Sequence, residues 1–510
     1  MSAADLALAA LRTGAMGEAW SPMIDRREIL AEAERLTLLP NVVEKDYVLG
    51  WMLAGIYAHP DISGSWVFKG GTCLKKCWFE TYRFSEDLDF TLTDAAHLDG
   101  TFLKRVFGEV GQWIYDRTGI EIPADKQNFD IYQNPRGTIS CEGKISYLGP
   151  VSPRSGGWPR IKLDLTADER LVLPPVEVAV YHPYSDAPEG GFTARAYAYE
   201  EVFAEKTRAL AERTRPRDLY DVINLFRNEE ARPTSTVMID VLKQKCEHKG
   251  IDLPTLVALE PHRETLAGSW SNMLKHQLPS LPPWESFWDG LPEFFDWLAG
   301  GQAPVVPAAY VGGQGETVLR ERALRLPIAP ARQAHVEVIR FAAANRLLVE
   351  LDYRDVEGQR TTRIVEPYSL RQTQAGDIIL HTHDIGKNAH RGLRLDRIEG
   401  ARVTNRSFTP RHQIELTPTG PVAVAPSTAR APSTATRSTS GLFGTARPAR
   451  APVRRSPARL SASGPTYVIQ CPICQKKFNR KSYDTRLNAH KNDWGGQCSG
   501  RTGYLVDTRY

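Results

Sequence analysis

Apolar residues recur at three-to-four spacing in two stretches near the start of the chain, first Ile29, Leu30, Ala33 and Leu36, then Val43, Tyr47, Val48, Trp51 and Met52. That period predicts amphipathic helices between residues 25 and 57. At Trp66 the pattern changes. WVFKGGT (66–72) reads as an apolar strand running into a short helical segment, and FSEDLDFTL (84–92) alternates like a strand with its carboxylates on one face. RIKLDLT (160–166) alternates in the same way, and LPPVEVAVY (173–181) resembles another strand. The helical period returns in VFAEKTRALAER (202–213) and PRDLYDVINLF (216–226). The expected fold is an α/β (α+β) domain with a helical C-terminal part, over residues 1–300. Trp270, Trp284, Trp288, Phe294, Phe295 and Trp297 are read as core of that helical part rather than as a base-stacking surface.

Gly and Pro then punctuate the chain over residues 301–316, the signature of a linker. Within 317–416 an amphipathic helix at 332–348 precedes the short strands LLVELDY, TTRIVEPYSL, DIILHTHD and ARVTNRSF, which predicts a small, β-rich, strongly bent sheet with one helix. Residues 417–465 shift to Pro, Ala, Ser, Thr and Arg, with seven arginines and no acid. Such a segment cannot bury enough apolar surface to offset its ordering entropy, so a disordered tether is expected. Residues 466–510 form a last small module.

Composition adds limits. At 510 residues the chain is too long for one hydrophobic core. No run of about 18 apolar residues occurs and the N-terminus lacks a secretory pattern, so the cytoplasm is the expected compartment and no membrane partner is expected. A net charge of +4 says little about the whole, but the basic excess lies in the C-terminal third. Seven irregularly placed cysteines do not make a disulfide framework; Cys471, Cys474 and Cys498 crowd near the end, which suggests metal.

Asp87 and Asp89 stand two apart on a predicted strand, so both side chains leave one face and can share divalent cations, Mg²⁺ or Mn²⁺. Phosphoryl and nucleotidyl transfer uses such a pair, because two ions about 3.5–4 Å apart stabilise the attacking and leaving oxygens. Asp164, on a later alternating strand, is the candidate third ligand. Gly70 and Gly71 close a strand and let the backbone approach a triphosphate, while the Thr72 hydroxyl and Lys75 could bind its oxygens. Taken alone, an Asp-Leu-Asp triplet is more often a solvated strand face and a Gly-Gly pair more often a turn. Together, the glycine pair after a strand and the paired aspartates some fifteen residues later are the signature of the polymerase-beta-like nucleotidyltransferase fold.

With LLPNVVEKDYVLGWML, FKGGTCLKK, RFSEDLDF and EKTRALAERTRPRDLYDV in succession, the chain from about 25 to 300 resembles the AbiEii/AbiGii toxin family. Members are nucleotidyltransferases that act as toxins in toxin–antitoxin and phage-exclusion systems, some of them on tRNA 3′ ends. The resemblance implies that Gly70, Gly71 and Thr72 hold the nucleotide, that Asp87 and Asp89 hold metal, and that Lys206 and Asp221 complete the site. Lys206 would neutralise the triphosphate or leaving pyrophosphate, and Asp221 would position it or the acceptor hydroxyl; without the resemblance, the residues by themselves read more readily as a surface ion pair. Cys73 departs from the family, which usually has Ser there, and a thiol is the weaker donor.

The VELDYRD strand, the VEPYSL segment and the arginine-rich turn HRGLRLDRIEGARV resemble a WYL domain, although DIILHTHD replaces the naming tripeptide. That implies a regulatory ligand, often nucleic acid or a nucleotide, with Arg391, Arg394 and Arg397 as phosphate contacts; ion pairs with Asp396 or Glu399 are the alternative. In the last module, the Cys471 and Cys474 knuckle followed by His490 and Cys498 matches tetrahedral Zn²⁺. It resembles a zinc finger in its first half, with Phe478 and Leu487 as core and Leu487 and His490 on one helical face; it departs in its longer spacing and final Cys. Lys476, Lys477, Arg480, Lys481, Arg486 and Lys491 give it a basic surface suited to nucleic acid.

The expected function is a metal-dependent nucleotidyltransferase that moves an NMP from an NTP to an acceptor hydroxyl, on RNA such as a tRNA 3′ end. It would act as a toxin or antiphage effector with a cognate antitoxin protein as partner. Two rivals are a ligand-responsive nucleic-acid-binding regulator without catalysis and an enzyme that modifies protein hydroxyls.

Overall fold

The computed structural model describes residues 24–78, 83–134, 136–152, 157–303, 315–320, 326 and 330–416, and then 466–471, 474, 476–480, 484, 486–491, 496–502 and 504–509. The chain divides into two compact units between Val422 and Ala423. The tether expected over 417–465 and most of the 301–316 linker lie outside the described residues.

In the first unit, helix α1 (Arg26–Leu36) starts where the Asp25 carboxylate accepts from Arg27 N, and helix α2 (Pro40–Ala58) follows with proline at its first position. Strand β1 (Trp66–Lys69) leads into a short helical turn and a π-helix over Leu74–Trp78. Next come β2 (Asp87–Leu92), helix α3 (Gly100–Thr118), β3 (Gln127–Gln133), β4 (Ile139–Ser146), β5 (Arg160–Thr166), β6 (Val176–Ala179) and β7 (Thr193–Ala196). These seven strands form one mixed sheet in the order β3-β4-β5-β2-β1-β7-β6. The pairs β2/β5 and β1/β7 are parallel and the others antiparallel.

Period-two alternation gives the sheet two unlike faces. Trp66, Phe68, Leu88, Phe90, Ile161, Leu163 and Leu165 are buried, and Trp66 packs its ring at 5.9 Å from Phe107 of α3. Lys162, Asp164, Asp87 and Asp89, at the alternate positions, are half-buried. Helices α4 (Tyr199–Arg213), α5 (Pro216–Arg227), α6 (Ser235–Lys249), α7 (Arg263–Leu274) and α8 (Leu291–Leu298) complete the helical part. Trp270, Trp288, Phe294 and Trp297 are buried there, with Trp284 and Phe295 packed against the same core.

The remainder of the first unit is a helix α9 (Pro330–Ala344) on a six-stranded sheet of β8 (Thr317–Val318), β9 (Leu347–Arg354), β10 (Arg360–Gln372), β11 (Ile378–Asp384), β12 (Ala389–Arg394) and β13 (Ile398–Ser407). The order is β12-β11-β10-β9-β13, with β8 on β10. The arginine-rich stretch expected as a turn is therefore mostly strand, since Ala389–Arg394 pairs with β11 and Ile398–Ser407 with β9, with a single turn of 3₁₀-helix between them. This sheet is tied to the N-terminal half rather than set apart from it. Arg35 Nη1 meets Glu337 at 2.6 Å, and Glu230 accepts from Arg320 at 2.8 Å and Gln413 at 3.0 Å.

The second unit carries β14 (Thr466–Gln470), β15 (Lys477–Arg480) and β16 (Tyr504–Arg509), an antiparallel sheet in the order β15-β14-β16. Among the described residues no helix is long and apolar enough to cross a membrane.

Candidate active site

β1 ends at Lys69 and the chain turns at once through Gly70, whose φ of 81° is left-handed. A Cβ there would stand 2.0 Å from Asp89 Oδ2, so glycine is what allows the backbone to lie against that carboxylate. At Gly71 a Cβ would meet Arg83 Nη2 at 2.7 Å. Register then assembles the face. Lys69 lies opposite Asp89, Asp89 opposite Asp164, and Asp164 opposite Glu142. One step along, Asp87 is opposite Lys162. The three aspartates thus leave the same side of neighbouring strands beside the glycine turn.

The electrostatics of Asp87 and Asp89 show acids raised above the ordinary carboxylate range, by burial first. Burial, and then the charges of Asp164 and Asp87, push Asp89 from the ordinary 3.8 up to about 6, against the pull of Lys69 and Lys206. Burial also raises Asp87, opposed by Lys162 and Arg217. Asp164 accepts from Lys162 Nζ at 2.9 Å. Hard carboxylate oxygens on one face suit Mg²⁺ or Mn²⁺. The aspartates do not form a closed cage; among the described residues, only a C-terminal Cys/His group brings three or more ligand atoms within 4.8 Å of one another.

Two helices bring the remaining predicted residues to this end of the sheet. Helix α4 stops at Thr214 in a left-handed conformation (φ 43°), and α5 restarts at Pro216. The tight turn sets Lys206 against α5, with its Nζ 2.9 Å from Asp221 Oδ2 and 3.7 Å from Asp218 Oδ1. Asp221 is also held by Arg83, at 3.0 Å from Nε and 2.7 Å from Nη2. Arg83 in turn donates to Gln277 at 3.1 Å. Asp218 binds Arg213 at 2.8 and 2.9 Å and so fixes the turn. Burial raises both carboxyls, but Arg83 and Lys206 hold Asp221, and Arg213 and Lys206 hold Asp218, below the usual carboxylate range.

Residues 51–299 match the family model described as nucleotidyl transferase AbiEii toxin, type IV toxin–antitoxin system. This part of the chain is an AbiEii nucleotidyltransferase domain. Residues 334–403 match the WYL domain model. Among solved structures, the chain is similar to MenT4, a nucleotidyltransferase toxin from Mycobacterium tuberculosis H37Rv. The identity is 19%, over 54% of this chain and 89% of MenT4, with a TM-score of 0.32. It is also similar to the proteasome accessory factor B/C of Arthrobacter aurescens, at 19% identity over 41% of this chain and 32% of that one, with a TM-score of 0.15. No curated protein matches.

Within the AbiEii domain, two of the residues expected at the nucleotide are engaged elsewhere. Thr72 is fully buried and its hydroxyl donates to the Asp87 carbonyl at 2.5 Å, so it pins β2 rather than facing a phosphate. Lys75 is buried with its ammonium 3.6 Å from the Phe84 ring centroid. Cys73 is buried too, and burial followed by neighbouring Cys77 raises its thiol well above the ordinary range. The cations that act on the carboxylates are instead Lys69, Lys162, Lys206 and Arg217. Lys69 and Arg83 were the sequence's unread residues. Lys69 could have been found from its place directly before Gly70 on a strand pairing with the aspartates; Arg83 carries no such signal.

In the WYL domain, Arg391 is exposed and Arg397 half-buried. Arg394 is committed to acids, binding Asp377 at 2.7 Å and both oxygens of Asp396 at 3.0 and 2.9 Å. That follows the ion-pair alternative and leaves two of the three arginines to meet a ligand.

In the second unit, ligand atoms of Cys471, Cys474, His490 and Cys498 all lie within 4.8 Å of one another. His490 Nδ1 lies 2.8 Å from the Asn488 carbonyl, which would fix the tautomer that leaves Nε2 free as a ligand. Phe478 stands edge-on to His490 at 4.9 Å, and Leu487 is buried. The helical face expected for Leu487 and His490 is not there. Residues 486–491 are non-helical, and bridges Arg486↔Thr502 and Lys491↔Gln497 place His490 and Cys498 across a hairpin. The eight-residue step to Cys498 suits a hairpin and not a single helical turn.

Proposed function

We propose that the AbiEii domain transfers an NMP from an NTP to a hydroxyl of RNA, such as a tRNA 3′ end, as a cytoplasmic toxin or antiphage effector restrained by a cognate antitoxin. The observation that carries this reading is the register of Asp89 between Lys69 and Asp164, with Gly70 against its carboxylate. Asp87 and Asp89, with Asp164, would hold the divalent ions. When bound, such ions supply charge neutralisation at the phosphates and at the attacking and leaving oxygens. Gly70 and Gly71 would leave room for the triphosphate, and Lys206, held by Asp221, would neutralise pyrophosphate charge. Thr72 contributes by tying the turn to β2.

The WYL domain would sense a phosphate-bearing ligand through Arg391 and Arg397, with Arg394 holding the strand end. Cys471, Cys474, His490 and Cys498 would bind one structural Zn²⁺, and the basic surface of that module would recruit RNA. The test is incubation with each α-labelled NTP and either total RNA or total protein. Label should enter RNA and be abolished by Asp87→Asn and by Asp89→Asn. Label in protein would favour the protein-modifying rival, and undiminished labelling by either variant would refute the site.

A further inference from the structure

The seam between the AbiEii and WYL domains holds a group of arginines that the catalytic reading does not use. Arg227 ends α5, and its Nη2 donates to the Ser286 carbonyl at 2.5 Å while its guanidinium lies over Phe287. Its Nη1 is buried and has no partner. Arg232, in the loop after α5, donates to the Phe226 carbonyl at 3.0 Å and lies over the Phe226 ring. Arg346 comes from the WYL side, at the left-handed turn (φ 53°) between α9 and β9, where its carbonyl accepts from Phe408 N. A non-glycine residue held in that conformation is a fixed feature of the turn.

None of the three forms an ion pair with any described residue, although the same seam pairs Arg320 with Glu230 and Arg35 with Glu337. The acids within electrostatic reach are Glu229, half-buried, and Glu293, exposed. Burial and then the charge of Arg346 weaken Arg227's hold on its proton, bringing it down to about 9; burial likewise lowers Arg346, with a smaller contribution from Arg232. A buried guanidinium with an unused donor is costly unless an acceptor arrives. Taken as whole residues all three are half-buried rather than enclosed.

We infer that Arg227, Arg232 and Arg346 form a second anion site, at the junction of the two domains, for a compact phosphate-bearing ligand. Guanidinium donors in a partly dry setting favour phosphate over weaker acceptors. Its position gives it leverage. Arg227 lies six residues after Asp221 on α5, roughly 9 Å along the helix axis. Occupancy therefore bears on the helix that positions Lys206, a consequence that rests on the catalytic reading, whereas the binding itself does not.

The test is equilibrium dialysis of the full chain in EDTA with labelled inorganic phosphate, pyrophosphate or ATP, which separates a free phosphate from a nucleotide. Wild type, Asp89→Asn and Arg360→Met, the last a highly exposed arginine elsewhere, should bind one of the three probes equally and saturably. Arg346→Met and Arg232→Met should each weaken that binding at least tenfold while retaining wild-type circular dichroism. Retained binding in both variants, loss in Asp89→Asn or Arg360→Met, or no binding by wild type would each overturn the inference. If a variant fails to fold, the other decides.

Discussion

Replacing Asp89 by asparagine should stabilise the fold while abolishing transfer. The carboxyl is pushed from 3.8 up to about 6, by burial first and then by Asp164 and Asp87. At about 1.4 kcal/mol per tenfold change in proton affinity, its ionisation in the folded state costs up to roughly 3 kcal/mol. The sign follows from the direction. A carboxyl whose folded affinity for protons exceeds its unfolded one destabilises the fold fully above the folded value, and not at all below the unfolded one. The substituted amide carries no charge, so the variant's advantage should be largest at pH 8, shrink through pH 6 and vanish near pH 4. The assay is urea unfolding of both proteins at pH 8, 6 and 4 in EDTA, with NMP transfer measured in parallel. Added Mg²⁺ should stabilise wild type, since a bound cation relieves the same repulsion, and leave Asp89→Asn nearly unmoved. A variant less stable than wild type at pH 8, or a gain that does not fade on acidification, would refute the argument from crowded charge.

Three further outcomes are expected. Gly70→Ala should reduce transfer by about 100-fold, because the left-handed backbone and the 2.0 Å approach to Asp89 force the turn away from the carboxylate; single-turnover labelling measures it. Asp221→Ala should lower unfolding stability by about 3–5 kcal/mol at pH 7, since it strands Arg83 and Lys206. Because those cations depress Asp221, its contribution is present above the ordinary carboxylate value and lost as pH falls through the lower folded one, so urea melts of variant and wild type should converge only in strong acid. Metal analysis should find one zinc per chain, absent from Cys498→Ser, and a chelator should melt the second unit without shifting the transition of the first.

The period-two alternation of RIKLDLT and the glycine turn before DLDF made the catalytic sheet readable, because burial on one face leaves its trace in the order of apolar and polar residues. β3 (QNFDIYQ) and β4 (ISCEGKIS) went unread, since an edge strand such as β3 keeps most of its residues exposed and so carries little alternation. The surroundings of Thr72 and Lys75 were hidden for a related reason. Side chain type says what a residue can bind, but only packing says that the Thr72 hydroxyl is already used by Asp87. Arg83 could not be found at all, because its meaning is set by Asp221, 138 positions away. In the second unit the Cys/His cluster was legible from spacing, and the hairpin that carries His490 and Cys498 was not, since spacing says which sulfur and nitrogen atoms can converge without dictating the backbone between them.

Buried charges of opposite sign stand at the sheet and at the seam. At the sheet, burial raises Asp87 and Asp89, and at Asp89 the charges of Asp164 and Asp87 add to it. At the seam, burial lowers Arg227 and Arg346, and a neighbouring guanidinium adds to it in each case, Arg346 at Arg227 and Arg232 at Arg346. Each is a local cost to the fold, and a cost of this kind persists when a ligand of the opposite sign relieves it. Helix α5 carries Asp218 and Asp221 at its start and Arg227 at its end, so one rigid element touches both regions. A cation at one end and an anion at the other would each remove strain from the same helix. Binding at either should then be felt at the other with equal coupling, as linkage requires.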